Sequence, residues 1–175
     1  MCRYASPLAF DSRQWTLRDL ALDRIHIGGV LTVSEHAWTW TAQTKLPSRR
    51  GAHMACMQEI LDTLKDLGWD GRDLFGVEMA LEESLTNAIR HGNSLDESKQ
   101  VEVECRVSRE RFWLQVVDEG EGFKPQLVPD CTADENLECL GGRGLALMKA
   151  YMTSVEYNDR GNCVTMEKIR STPVD

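Results

Sequence analysis

Residues 82–92 read EESLTNAIRHG, and this stretch decides the fold of the 175-residue chain. It closes a helix predicted over about 73–91, whose apolar residues recur at steps of three and four: Leu74, Val77, Leu81, Leu85 and Ala88. Glu83 and Asn87 are one turn apart, roughly opposite this stripe, and so share a face. A carboxylate and an amide oxygen placed in this way can orient a nucleophile and ligate a hard cation. For this helix alone, a solvated polar face is the alternative.

The segments around this helix predict an α+β fold. A period-two strand begins at Trp38 and ends at Pro47, and Ser48 is expected to cap a first helix that ends at Gly68. A hairpin over about 101–117, a third helix over about 143–152 and closing strands near 154–158 and 162–169 follow. This order favours a two-layer α/β sandwich, with about three helices on one face of a mixed, mostly antiparallel sheet.

Charge and composition exclude several classes of protein. The chain carries 20 Lys and Arg against 28 Asp and Glu, a formal charge of −8, which argues against a general nucleic-acid binder. Its apolar runs fall far short of the roughly 20 residues that span a bilayer, and its start lacks an apolar signal core. We therefore expect a cytoplasmic protein without membrane contact. The six cysteines show no zinc or disulfide spacing and are expected to be free thiols.

Two glycine-rich clusters lie downstream of the helix. Asp118-Glu119-Gly120-Glu121-Gly122-Phe123 follows a strand directly, where a carboxylate can accept a hydrogen bond from a base and glycines allow close approach of the backbone. Gly141-Gly142-Arg143-Gly144-Leu145 precedes a helix, and a helix start with close backbone amides favours anions such as phosphate. Each cluster alone is also compatible with an ordinary turn. Together they suggest a metal ligand, a base reader and a phosphate site in one domain.

In this order, the three clusters resemble the N, G1 and G2 boxes of the GHKL (Bergerat-fold, histidine-kinase-like) ATPase and kinase superfamily. The likeness covers about residues 38–170. The small size, the His91-Gly92 ending of the first box and the closing Gly161-Asn162-x-Val164 resemble the anti-sigma-factor serine-protein kinases of the RsbW/SpoIIAB type. The resemblance implies ATP and Mg²⁺ as cofactors and a mobile ATP lid over about 124–140.

The resemblance also implies a role for each box residue. Glu83 would be the catalytic base for a substrate serine, Asn87 would hold the magnesium ion and contact the nucleotide, and Asp118 would recognise the adenine amino group. Gly120 and Gly122 would let the protein backbone pass close to the nucleotide, and Gly142 and Gly144 would present backbone amides to its phosphates. Arg143 and Leu145, in the same box, would also contact the nucleotide. The implied activity is ATP-dependent phosphorylation of an anti-anti-sigma protein by an anti-sigma factor, with a sigma factor and a second copy of the chain as further partners.

Two points stay open at this stage. Related kinases can carry a basic residue just before the second glycine box, where this chain has Leu140, so a catalytically silent ATP-binding regulatory module is the alternative. We expect a nucleotide domain over 37–170, an N-terminal extension of unassigned role over 1–36 and a short tail over 171–175. The third alternative, a histidine kinase domain, lacks room in 36 residues for the helical segment that would bear the accepting histidine.

Overall fold

The structure, a computed structural model, describes residues 37–124 and 143–171. Within these ranges the chain forms three α-helices and a five-stranded sheet. The elements are β1 (Trp40–Pro47), α1 (Met54–Asp66), α2 (Gly71–Asn87), β2 (Gln100–Val107), β3 (Arg111–Asp118), α3 (Arg143–Tyr151), β4 (Ser154–Tyr157) and β5 (Cys163–Ile169). A π-helical turn, Ala88–Gly92, continues α2. The order of elements expected from the sequence is confirmed.

The sheet has the order β1-β2-β3-β5-β4, and each of its pairings is antiparallel. Alternate residues of the strands face the helices: Cys105 lies opposite Leu114, Leu114 lies opposite Met166, and all three are fully buried. The apolar stripe of α2 packs onto this inner face, and each large apolar side chain buried there stabilises the fold by about 1.5–3 kcal/mol. The α+β sandwich is confirmed, with an antiparallel sheet over the described strands where a mixed one was expected.

Ser48 does not cap the first helix, which corrects the expectation from the sequence. Residues 49–53 first make a turn in which Gly51 has a φ of +76°, and α1 begins only at Met54, after His53. The Ser48 hydroxyl is instead buried and accepts a hydrogen bond of 2.7 Å from the Asn93 side chain. A long-range contact therefore takes the place of the local cap.

A buried carboxylate ties the end of the described chain to the start of α2. The Asp73 side chain accepts hydrogen bonds from the Ser171 backbone N–H at 2.6 Å and its hydroxyl at 3.1 Å, and it pairs with Lys168 at 3.0 Å. Burial alone would raise the pKa of Asp73, but these donors and the Lys168 charge hold that pKa below its usual value. The carboxylate form therefore stabilises the fold.

We expect Asp73→Asn to lower the free energy of unfolding by about 3 kcal/mol at pH 7, because the largely buried Lys168 ammonium loses its carboxylate partner and keeps the Tyr151 carbonyl. Since the folded pKa of Asp73 is depressed, the advantage of the wild type is present above the unfolded pKa of about 3.9 and is lost as the pH falls through the folded pKa. Urea unfolding at pH 7 and pH 3 measures both effects. Asp62→Asn, which removes an exposed pair with Lys65, is the control and should cost less than about 1 kcal/mol.

Among the described residues, no helix is long and apolar enough to cross a membrane. Several sequence predictions concern residues outside the described ranges. These predictions concern the extension 1–36, nearly all of the lid, Leu140, Gly142 and residues 172–175 of the tail. The expected free thiols are confirmed for the cysteines inside the described ranges, Cys56, Cys105 and Cys163. Burial raises the pKa of the Cys56 thiol to about 12, so it is uncharged at neutral pH.

Candidate functional site

The three sequence clusters meet at one cavity of about 730 Å³ between the helices and the sheet. Its volume is in the range of small-molecule sites. The predicted site residues that line it are Glu83, Asn87, Asp118, Gly122, Arg143, Gly144 and Leu145. Gly120 is near but does not line it, and Gly142 lies outside the described residues. Of the predicted site residues that the structure describes, all except Gly120 therefore line the same cavity.

On α2, Glu83 and Asn87 form a hydrogen-bonded pair at the cavity wall. The Asn87 Nδ2 donates to Glu83 Oε1 at 2.8 Å, and both side chains are half-buried. Because the amide nitrogen is used in this bond, the Asn87 oxygen is the atom left for a ligand. The described residues hold no group of three or more His, Cys, Asp or Glu side chains that could bind a metal by themselves. A cation here would be bound by one amide oxygen of the protein together with oxygens of the substrate, as Mg²⁺ commonly is.

The first turn of α3 lies directly against this pair. A methyl group added at Gly144 would lie 1.7 Å from Glu83 Oε1. The start of α3 is therefore packed on the carboxylate through a position where only glycine fits. The atom that would give way is the end of a flexible side chain, so a larger residue would displace Glu83 without forcing the backbone apart.

For the catalytic role that the family resemblance implies for Glu83, we expect Gly144→Ala to lower the rate by about 10-fold or more, because a displacement of about 1 Å in a reacting group has large effects. Thermal unfolding should change little. The measurement is turnover of ATP beside a melting curve, with Lys149→Ala at an exposed position of α3 as control. Full activity in Gly144→Ala would contradict the inferred contact.

At the other side of the cavity, Asp118 ends β3. Its Oδ1 accepts a hydrogen bond of 2.8 Å from the Gly120 N–H. Burial raises the pKa of Asp118, while the Gly120 N–H and the charges of Arg160 and Lys99 act in the opposite direction. The Gly120 bond leaves Oδ2 of this carboxylate able to accept a hydrogen bond from a ligand.

The turn after Asp118 is interlocked with the turn between β4 and β5. A methyl group at Gly122 would lie 2.0 Å from the Arg160 carbonyl oxygen, and one at Gly161 would lie 1.9 Å from the Phe123 carbonyl oxygen. The Arg160 guanidinium donates to the Gly120 carbonyl at 2.9 Å. The close contacts at Gly122 and Gly161 and the Arg160 hydrogen bond thus fix the two turns against each other at the cavity wall. The sequence marked Gly161 only as part of a turn and of a family resemblance, and gave no role to Arg160.

Two aromatic rings also line the cavity, and sequence patterns gave neither of them a role there. Phe123 and Tyr157 meet edge to face, with ring centroids 5.0 Å apart, and both line the cavity. Burial first, and then the carboxylates of Glu83 and Asp118, together raise the pKa of Tyr157 to about 12. The Tyr157 hydroxyl is therefore a proton-bearing donor at neutral pH. Its only sequence signal was a place in a short β-strand.

Comparison with known proteins identifies the family of this chain. The model of the histidine kinase-like ATPase domain matches residues 46–168. The chain belongs to this family. The anti-sigma F factor of Clostridium perfringens (strain 13 / Type A) is 32% identical over 106 residues, which cover 57% of this chain and 75% of that protein.

Two further relatives carry the name serine-protein kinase RsbW. The proteins from Bacillus subtilis (strain 168) and Bacillus licheniformis are 32% and 31% identical over 111 residues, which cover 58% of this chain and 68% of each relative. The expected membership of the histidine-kinase-like ATPase family, of the RsbW and anti-sigma factor type, is confirmed.

Proposed function

We propose that this chain is an ATP-dependent serine-protein kinase and anti-sigma factor of a partner-switching system, which phosphorylates an anti-anti-sigma protein. The observation that carries the proposal is the cavity itself. It has Asp118 on one side and the Glu83–Asn87 pair with the start of α3 on the other. The names of the relatives, anti-sigma F factor and serine-protein kinase RsbW, supply the class of protein partner.

The two sides of the cavity suit the two ends of a nucleotide. The Asp118 carboxylate accepts the adenine amino group, and the first turn of α3 favours the phosphates through its backbone amides. Arg143 also lines the cavity and adds a positive charge at that end. The Asn87 oxygen would hold Mg²⁺, which would neutralise charge on the phosphates. Different sequence clusters would thus bind the adenine end and the phosphate end of the nucleotide.

In this proposal Glu83 acts as the general base of the transfer. Its carboxylate takes the proton of the substrate serine hydroxyl, the serine oxygen bonds to the γ-phosphorus, and the bond between that phosphorus and the β,γ-bridging oxygen breaks to release ADP. The Asn87 amide keeps the carboxylate oriented through its 2.8 Å hydrogen bond. Displaced water and correct positioning supply the rest of the rate enhancement.

The partner assignments follow from the relatives and belong to the same proposal. Unphosphorylated antagonist protein and a sigma factor would compete for this chain, so phosphorylation of the antagonist frees the chain to hold the sigma factor. Such a system operates in the cytoplasm, and we propose a homodimer as the working form. None of these steps requires contact with nucleic acid or membrane, which fits the charge of −8.

The test is transfer of labelled phosphate from [γ-³²P]ATP to a small antagonist protein that carries an acceptor serine. We expect Mg²⁺-dependent labelling of the antagonist, lost when its serine is replaced by alanine. Co-purification of the chain with a sigma factor, released on addition of unphosphorylated antagonist, tests the second half. Binding of ATP without labelling under these conditions would contradict kinase activity.

A catalytically silent ATP-binding regulatory module is the second candidate. Leu140 in place of a basic residue favours it, and so does the close cover of Glu83 by Gly144. This candidate predicts binding of ATP and of the partners with no phosphorylated antagonist. The labelling experiment therefore separates the two functions.

A further inference from the structure

The helix that bears Glu83 and Asn87 ends in a π-turn, which changes the direction of the next side chain. The Asn93 N–H donates to the Ala88 carbonyl at 2.8 Å, a bond across five residues where an α-helix would span four. Ser94 and Leu95 then adopt φ values of 56° and 59°, in the left-handed region that non-glycine residues rarely occupy. Structural strain of this kind persists where the surroundings hold it in place.

Asn93 is the residue that this arrangement turns inward. It is fully buried, although asparagine normally lies at the surface. Its Nδ2 donates to the Ser48 hydroxyl at 2.7 Å and to the Gln100 carbonyl at 2.9 Å, and its Oδ1 accepts from the Glu119 N–H at 2.8 Å. A carbonyl can only accept and an N–H can only donate, so Gln100 and Glu119 fix which way the amide faces.

One of these three bonds, from the Glu119 N–H, joins the end of the π-turn to the segment that holds Asp118, and the other two fix Asn93 to Ser48 and Gln100. Glu119 directly follows Asp118, and its own side chain accepts a hydrogen bond of 2.9 Å from the Gln100 N–H. A methyl group at Gly92 would lie 2.3 Å from the Asp118 carboxyl carbon. A methyl group at Gly120 would lie 2.2 Å from the Gly92 carbonyl oxygen. The turn that places the Asp118 carboxylate is thus packed against the end of the Glu83 helix and bonded to it through Asn93.

We infer that Asn93 is a positioning residue that sets the base selectivity of the nucleotide site through the turn at Asp118. The inference rests on the proposed function, because it concerns the same site. Asn93 is not itself one of the residues that line the cavity, and its side chain reaches the Asp118 turn through the Glu119 N–H, whose position fixes the Gly120 N–H that holds Asp118 Oδ1. The free oxygen of Asp118 keeps its direction only while this turn is held.

The chemical consequence is discrimination between purines. Adenine presents an amino donor that the Asp118 carboxylate accepts, whereas guanine presents a carbonyl oxygen at the same position and would face the carboxylate with like polarity. A fixed carboxylate favours ATP and rejects GTP, since buried polar groups left unpaired carry a large penalty. A loosened turn would weaken ATP binding and lessen the rejection of GTP.

The experiment measures dissociation constants of MgATP and MgGTP by calorimetry for four proteins, together with thermal unfolding. We expect Asn93→Ala to reduce the ATP preference of the wild type by roughly 10-fold or more. Asn93→Asp keeps an acceptor for the Glu119 N–H but sets a carboxylate oxygen against the Gln100 carbonyl, so its melting temperature should fall while its ATP preference stays above that of Asn93→Ala. Ser48→Ala removes one bond of Asn93 but leaves the Glu119 bond, so its preference should equal that of the wild type.

Each outcome decides the inference. A lowered melting temperature with an unchanged ATP preference in Asn93→Ala would show a purely structural role and overturn it. So would a wild type that binds ATP and GTP equally. A wild type that binds neither nucleotide would instead overturn the proposed function. If Asn93→Ala does not fold, Asn93→Ser, whose hydroxyl is too short to reach the Glu119 N–H, takes its place with the same expected loss.

Discussion

Glu83→Gln is expected to lower phosphoryl transfer to the antagonist serine by about 10² to 10⁴-fold, which is the usual contribution of a general base. Glutamine keeps the length of the side chain and an oxygen that can accept from Asn87 Nδ2, so the cavity retains its shape. It cannot take the serine proton. MgATP affinity should therefore stay within about threefold of the wild type, since no binding contact to the nucleotide is removed.

The matched control is Glu82→Gln, one residue earlier on the same helix. Glu82 accepts hydrogen bonds from Thr86 at 3.2 Å and contacts the His53 ring at 3.1 Å, and it does not line the cavity. Its substitution should leave transfer near the level of the wild type. Single-turnover labelling of the antagonist gives the rates, and calorimetry gives the affinities. Rapid transfer by Glu83→Gln would exclude Glu83 as the base.

Asp118→Asn is expected to raise the dissociation constant of ATP by about 10 to 100-fold, because a hydrogen bond to a charged acceptor contributes about 1.5–3 kcal/mol. The stability of the fold should not fall. Burial raises the pKa of Asp118, so its ionised form costs stability at neutral pH, and removal of the charge should leave the melting temperature unchanged or higher. The variant thus separates a binding role from a structural one.

Glu119→Gln serves as control for Asp118→Asn. Glu119 is exposed and lies outside the cavity lining, and glutamine retains the oxygen that accepts from the Gln100 N–H. Its ATP affinity should match the wild type. Equal affinities of Asp118→Asn and the wild type would place the adenine elsewhere in the cavity.

The sequence predicted the parts of this molecule that follow from periodicity. The spacing of Leu81 and Leu85 on α2 and of Val101 and Val103 on β2 gave both the elements and their buried faces, since burial repeats with the period of each element. Glu83 and Asn87 could be placed together for the same reason. Their separation of four residues is a property of the helix and needs no knowledge of the fold.

The remaining features depend on contacts between distant residues. The π-turn after Asn87 has no periodic signal, and the burial of Asn93 depends on Ser48, Gln100 and Glu119, which lie far from one another in sequence. Ser48 was misread as a cap because a local pattern allowed it, while the fold used its hydroxyl for a long-range bond. Close approaches such as Gly122 to Arg160 likewise appear only once the turns are packed.

The central claim is that three separated sequence clusters form one magnesium-dependent ATP site. Calorimetric titration of ATP into the wild type and Asn87→Ala, each with Mg²⁺ and with EDTA, tests it most directly. We predict one site per chain, with affinity in the wild type raised by about 10-fold or more when Mg²⁺ is present and no such gain in Asn87→Ala. An absence of ATP binding by the wild type, or an equal gain from Mg²⁺ in both proteins, would contradict the account.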